Sequence, residues 1–155
     1  MTVISSLYIH ISFCVEGQKP ILHEGMTDIL TDFFVLRAKR LKGILVESCC
    51  MPDHVHLVIK YSPYLSIQEV YDDLKIGSAE FINNYKLTEE PLAWADDEVM
   101  ICTSFSELEN LRKYFKKQKE YHLVQGKTWN DEILDLLDTN EFPMAEEEWM
   151  PLIRI

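Results

Sequence analysis

From residue 3 to residue 13 apolar and polar positions alternate, with Leu7, Ile9, Ile11 and Phe13 on one side and Tyr8, His10 and Ser12 on the other. Period two predicts a β-strand. Gly17 and Pro20 mark a turn, and Thr27 or Asp28 opens an apolar-periodic helix through Ile29, Leu30, Phe33, Phe34, Leu36 and Leu41 that stops near Gly43. Ile44–Cys50 reads as a second strand, Met51-Pro52-Asp53 breaks it, and His54–Tyr61 reads as a third. Ser66 and Glu69 have capping-box spacing for a helix running to about Tyr85. A loop over Glu89–Asp97 leads to a fourth strand, Glu98–Thr103. Ser106 and Glu109 suggest a second capping box, opening a helix over 106–123 with Leu108, Leu111 and Phe115 inward. Gly126 interrupts it, and Trp129–Leu137 is a short amphipathic helix. The order is β-α-β-β-α-β followed by helices. That pattern predicts an α+β, ferredoxin-like antiparallel sheet with two helices on one face, and helix 106–123 is the candidate cover for the other.

The length of 155 residues suits one core. We expect residues 1–125 to form that domain and 126–155 an acidic helical extension packed on it or on a dimer partner. The apolar fraction of 47% argues against wholesale disorder. No apolar run approaches the roughly 20 residues a bilayer crossing needs, so no membrane role is expected. The N-terminus shows no basic region followed by a leader-type apolar stretch, and Cys14, Cys49, Cys50 and Cys102 are read as reduced thiols in a cytoplasm.

The net charge of −11 counts against nucleic acid until its distribution is considered. The tail 128–155 has eight acidic residues and one basic, and 87–109 has seven acidic and none basic. Two basic runs stand apart, Arg37, Lys39, Arg40 and Lys42, and Arg112, Lys113, Lys116, Lys117 and Lys119. Screening over about 8 Å in cellular salt lets a local basic surface act despite acidic regions elsewhere.

His54-Val55-His56 is the sharpest local feature. In a strand, i and i+2 share a face, so both imidazoles project together and can ligate one cation. An H-x-H pair by itself is a weak signal, also compatible with two polar residues on an exposed sheet face. Tyr114 and Gln118 lie four apart on one side of a predicted helix, extended by Tyr121 and His122 and flanked by cationic residues. A tyrosine in cationic surroundings can attack a phosphodiester polarised by a metal, and Gln118 offers a neutral oxygen ligand. Taken alone, the same face reads as a solvated helix with a tyrosine packed on the sheet. Trp129, Phe142 and Trp149 read as core or interface anchors.

Met51-Pro52-Asp53-His54-Val55-His56-Leu57-Val58 resembles the hallmark motif of the single-tyrosine HUH transposases, the insertion-sequence transposases and the REP-associated tyrosine transposases. Tyr8-Ile9-His10-Ile11-Ser12-Phe13 resembles that family's first strand, and Leu74-Lys75-Ile76-Gly77-Ser78 its second-helix segment. Trp94 resembles the tryptophan before its last strand. Leu111-Arg112-Lys113-Tyr114-Phe115-Lys116-Lys117-Gln118 resembles the helix that carries its nucleophile, and Gln118-Lys119-Glu120-Tyr121-His122 the continuation. The likeness spans roughly residues 5–123. Val15-Glu16-Gly17-Gln18-Lys19 departs from the family's basic stretch, and Asp97-Glu98 from its glycine-aromatic pair.

The resemblance implies His54, His56 and Gln118 as ligands of Mg²⁺ or Mn²⁺ and Tyr114, on the additional C-terminal helix, as nucleophile. It further implies attack on hairpin-bearing single-stranded DNA, a 5′-phosphotyrosine link and a free 3′-OH for strand transfer. In insertion-sequence members two subunits build the site, so a homodimer is expected. Lys75, Ser78, Arg112, Lys113, Lys116, Lys117 and His10 are the candidate DNA contacts. Two alternatives stay open. One is a domesticated relative that holds a nucleic-acid hairpin without cutting it, and the other is a small H-x-H metal hydrolase unrelated to DNA.

Overall fold

The computed structural model describes residues 2–139. Its one sheet contains β1 (Tyr8–Cys14), β2 (Ile44–Cys50), β3 (His54–Lys60) and β4 (Val99–Thr103) in the order β2-β3-β1-β4, antiparallel throughout. β1 and β3, the central strands, are adjacent. The connection through α1 (Thr27–Arg40) therefore passes over β3 to reach the edge, and the one through α2 (Ile67–Asn84) passes over β1. This is the ferredoxin-like α+β arrangement the sequence pattern predicts.

Alternation along the strands sorts their side chains into two layers. Ile9, Ile11, Phe13, Val55, Leu57 and Ile59 pack with Leu30, Phe34 and Ala38 of α1 and Val70, Tyr71, Leu74 and Ile82 of α2. Tyr8 and Val58 lie on the reverse face with Leu108 and Phe115 of α3 (Leu108–Lys116). Every residue of β1 is buried, which requires a cover on both faces, and α3 supplies the second one.

Local chemistry sets the ends of α2. Ser66 accepts from the Glu69 backbone N–H at 3.0 Å while the Glu69 carboxylate accepts from the Ser66 backbone N–H at 2.7 Å, a complete capping box. Gly43 ends the α1–β2 turn where a Cβ would stand 2.6 Å from the Lys60 carbonyl oxygen.

Three details differ from the sequence pattern. β1 begins at Tyr8 rather than residue 3, because pairing with β3 and β4 begins there. The capping box at Ser106 does not form. Phe105–Glu107 makes a 3₁₀ turn instead, and the Ser106 hydroxyl meets that of Ser104 at 2.9 Å. The helix predicted over 106–123 ends at Lys116, where the Lys117 N–H is shared between the carbonyls of Lys113 and Tyr114 at 3.2 Å each. Such sharing loosens an α-helix into a tighter turn.

The chain divides into two compact units between Lys119 and Glu120. In the second, a π-helical turn, Glu120–Val124, precedes α4 (Trp129–Thr139). Thr128 and Asp131 cap α4 reciprocally: the Thr128 hydroxyl accepts from the Asp131 N–H at 3.2 Å and the Asp131 carboxylate from the Thr128 N–H at 2.8 Å. The Tyr121 hydroxyl donates to the Asp135 carboxylate. Phe142 and Trp149, expected as anchors, lie outside the described residues. No helix among the described residues is long and apolar enough to cross a membrane.

Candidate metal and tyrosine site

His54 and His56 stand on the α3-covered face of β3, on either side of the inward Val55, with ring centroids 5.0 Å apart and planes at 84°. The start of β3 is anchored by its backbone. Asp53 accepts from the Val15 N–H at 2.7 Å, Pro52 from the Leu22 N–H at 2.9 Å, and His54 from the Met51 N–H at 2.8 Å. The Met51-Pro52-Asp53 break is thus a braced turn that presents His54 at a defined point.

Each imidazole meets a polar neighbour through Nδ1. His54 Nδ1 lies 2.6 Å from the Asp53 carboxylate, and His56 Nδ1 lies 2.9 Å from His10 Nε2. His54 Nε2 faces the Gln118 Oε1 at 3.0 Å. A carboxylate accepts only, so His54 donates from Nδ1 to Asp53. Two donor atoms about 3 Å apart match adjacent vertices of an octahedral cation with bonds of about 2.1 Å. Two imidazoles and a carboxamide oxygen are a donor set for a divalent ion, and a ligating histidine commonly hands its other N–H to a carboxylate, as the 2.6 Å approach of His54 Nδ1 to Asp53 allows. The donor set therefore fits a divalent ion.

Tyr114 comes from α3. Its ring lies 5.7 Å from that of His56 at 88° and 6.0 Å from that of His10 at 71°, all within one chain. Phe115 packs on both histidines at 5.3 and 5.4 Å, closing the apolar side. Gln118, past the loosened helix end, is buried. The structure thus brings together two pairs that the sequence pattern left apart, His54 and His56 on a strand and Tyr114 and Gln118 on a helix.

The candidate DNA contacts divide. Lys113, Lys116 and Lys117 are exposed on and just after α3. Arg112 is drawn to Glu47 at 3.3 Å and Glu109 at 3.4 Å. His10 is only 2% exposed, turned toward His56 rather than outward. Lys75 and Ser78 sit on α2, across the sheet from the histidines. The Lys75 ammonium lies 5.3 Å from the Tyr71 ring centre. Ser78 is fully buried; its hydroxyl donates to the Lys75 carbonyl at 3.0 Å and accepts the Trp94 indole N–H at 3.1 Å. Its place is in the core, and the polar side chain there serves Trp94. Neighbouring Gly77 leaves room for the Arg37 guanidinium, 3.1 Å from where a Cβ would be, and Arg37 pairs with Asp73 at 2.5 Å. Burial pushes the Cys50 thiol up to about 11, against a hydrogen bond with the Thr27 side chain that lowers it, so Cys50 is a neutral thiol rather than a thiolate ligand.

Sequence reasoning missed the roles of Asp53 and His10 beside the histidines. Asp53 adjoins the H-x-H pair and could have been suspected, but the contact of His10 with His56 depends on strand register. Ser12 is directly opposite His56, and His10 is its diagonal neighbour on the same face.

The ferredoxin-like sheet with its covering helices is a fold shared with known proteins. The family model for IS200-like transposases matches residues 3–118, and the chain belongs to that family. Two solved structures share the fold. One, of a protein from Deinococcus radiodurans R1 with a provisional transposase assignment, has a TM-score of 0.61 at 21% identity, over 76% of this chain and 95% of that one. The other, a REP-associated tyrosine transposase bound to a REP hairpin, has a TM-score of 0.55 at 10% identity, over 79% of this chain and 72% of that one. No curated protein matches the chain.

Proposed function

We propose that this transposase-family protein is a metal-dependent endonuclease and strand transferase for hairpin-bearing single-stranded DNA, with Tyr114 as nucleophile. The observation that carries it is the convergence of the Tyr114 ring on His56, beside the His54–Gln118 pair, within one chain. The hairpin held by the REP-associated relative supports a hairpin as the substrate class.

His54, His56 and Gln118 would hold the divalent ion, which when bound supplies Lewis-acid polarisation of the scissile phosphate. The phenolic oxygen of Tyr114 attacks phosphorus, and the bond to the 3′ oxygen breaks. The phenol's proton passes to solvent, and the departing 3′ oxygen takes one up. The products are a 5′-phosphotyrosine link and a free 3′-OH, and attack by a 3′-OH on the link returns the tyrosine and joins a new strand. Burial of Phe115 against His10 and His56 excludes water from one side of the site. Exposed Lys113, Lys116 and Lys117 are placed to meet the phosphate backbone. The contact of Tyr114 with its own chain's His56 supports cleavage within one copy, so the homodimer expected from the resemblance is not needed to complete the site.

The test is a denaturing gel of wild type and Tyr114→Phe with end-labelled hairpin strands, in Mn²⁺ or in chelator. A protein–DNA adduct from wild type in Mn²⁺ alone supports the proposal. Hairpin binding without an adduct in either protein would replace it with a non-cleaving hairpin binder.

A further inference from the structure

We propose that the groove at the C-terminal end of α1 is a second nucleic-acid subsite, in which Arg40 and Lys42 take a phosphate and Tyr64 stacks an unpaired base of the hairpin strand. This rests on the substrate class proposed above and lies outside the metal and tyrosine site.

Of the first basic run, Arg37 is engaged by Asp73, whereas Lys39, Arg40 and Lys42 are exposed and form no ion pair among the described residues. Arg40 and Lys42 border a groove of about 580 Å³ with Leu41, Ser62, Tyr64 and Leu65, and no described residue lining it is acidic. In a chain of net charge −11 this is a local excess of positive charge, the footprint that a phosphate backbone requires.

The backbone at Lys42 is unusual in its own right. α1 ends in a Schellman turn: the Gly43 N–H donates to the Ala38 carbonyl at 2.8 Å and the Lys42 N–H to the Lys39 carbonyl at 3.1 Å. Glycine usually takes the left-handed position of that turn, but here Lys42 holds it with a φ of 59°. The helix dipole does not call for a further cation, since Lys39 and Arg40 already fill the last turn. A charged side chain kept at a strained position beside a cation-lined groove points to a ligand.

On the same groove, the Ser62 hydroxyl accepts the Tyr64 N–H at 3.2 Å and the Ser62 carbonyl accepts the Leu65 N–H at 3.3 Å, which braces the turn before α2. Tyr64 is 74% exposed, and its ring meets no other ring among the described residues. A fixed, exposed aromatic face beside two cations is the pairing that holds a base and its phosphate. Lys60, whose carbonyl oxygen closes on Gly43, ends β3, and His54 begins it. Groove and metal site therefore stand about 20 Å apart at roughly 3.3 Å per residue. That is the length of about six stacked base pairs, within the span of one hairpin and well outside the reacting atoms.

The test is fluorescence anisotropy of a labelled hairpin strand, in chelator and over a series of salt concentrations, with wild type, Lys42→Gly, Tyr64→Ala and Lys86→Gly. Lys42→Gly removes the charge and relieves the left-handed backbone, so instability does not account for a loss. Lys86 is also exposed and left-handed, with a φ of 50°, but does not line the groove, and so serves as the matched control. We expect Lys42→Gly to bind about fivefold more weakly at about 0.1 M salt and to flatten the salt slope by about 0.7, the loss of one phosphate contact. Tyr64→Ala should bind about tenfold more weakly with an unchanged slope, and Lys86→Gly should match wild type. Lys42→Gly indistinguishable from Lys86→Gly, or Tyr64→Ala equal to wild type, would overturn the subsite. Loss of affinity in both groove variants with no Mn²⁺-dependent adduct from wild type would overturn cleavage and leave the subsite standing. No hairpin binding by wild type would overturn both.

Discussion

His54 Nε2 and Gln118 Oε1 lie 3.0 Å apart across 64 positions of sequence. At that spacing the two atoms can share one cation, with Asp53 beside the other ring nitrogen of His54. Gln118→Ala should therefore weaken Mn²⁺ binding by at least the roughly tenfold typical of lesser, outer-shell changes. Gln118→Glu places a carboxylate at the same point and should bind Mn²⁺ at least as tightly as wild type. Calorimetric titration decides, and an unchanged affinity in Gln118→Ala would remove Gln118 from the ligand set.

Ser78 should behave as a core residue. Its hydroxyl takes the Trp94 indole N–H at 3.1 Å, and loss of such a partner leaves a buried donor unsatisfied at a cost of about 1–3 kcal/mol. Ser78→Ala is expected to lower stability by that amount in urea unfolding while leaving hairpin affinity, measured well below the melting range, unchanged. Weaker hairpin binding at full stability would return Ser78 to the DNA surface.

The two serines that share capping-box spacing should separate. Ser66→Ala removes a formed cap and should cost about 1 kcal/mol, whereas Ser106→Ala should fall within about 0.5 kcal/mol of wild type. Paired denaturant curves check both values.

Alkaline stability should depend on Cys50. Its thiol has a folded value of about 11 against an ordinary 9.0, chiefly because burial disfavours the thiolate. Between pH 9 and 11 the unfolded chain releases this proton and the folded chain keeps it. The contribution is complete below 9 and is lost as pH rises through that window. The urea midpoint should thus fall more steeply from pH 8.5 to 10.5 in wild type than in Cys50→Ala. Parallel slopes would show that Cys50 ionises alike in both states.

Much of the architecture was legible because it follows short-range rules. The alternation in Ile9–Phe13 and Val55–Ile59, and the Ser66–Glu69 cap, each specify an element without reference to the rest of the chain. The end of α3 was not, since Lys116-Lys117-Gln118-Lys119 contains no glycine or proline and good helix formers continue past the break. The catalytic candidates were visible as residue types at meaningful spacings. Their mutual geometry was hidden, because the approach of His10 to His56 and of Gln118 to His54 is set by strand register and by how α3 lies on the sheet. Ser78 and Lys75 are a related case: the motif they belong to is local, whereas the layer of the fold it faces is not.

The central claim is that Tyr114 carries the DNA. The direct measurement is to trap wild type on a hairpin-bearing single strand with Mn²⁺, digest the product with nuclease and trypsin, and locate the residual nucleotide by mass spectrometry. The account predicts a 5′-linked nucleotide on the tryptic peptide Tyr114-Phe115-Lys116. A nucleotide found on another tyrosine, such as Tyr8 or Tyr121, would contradict it.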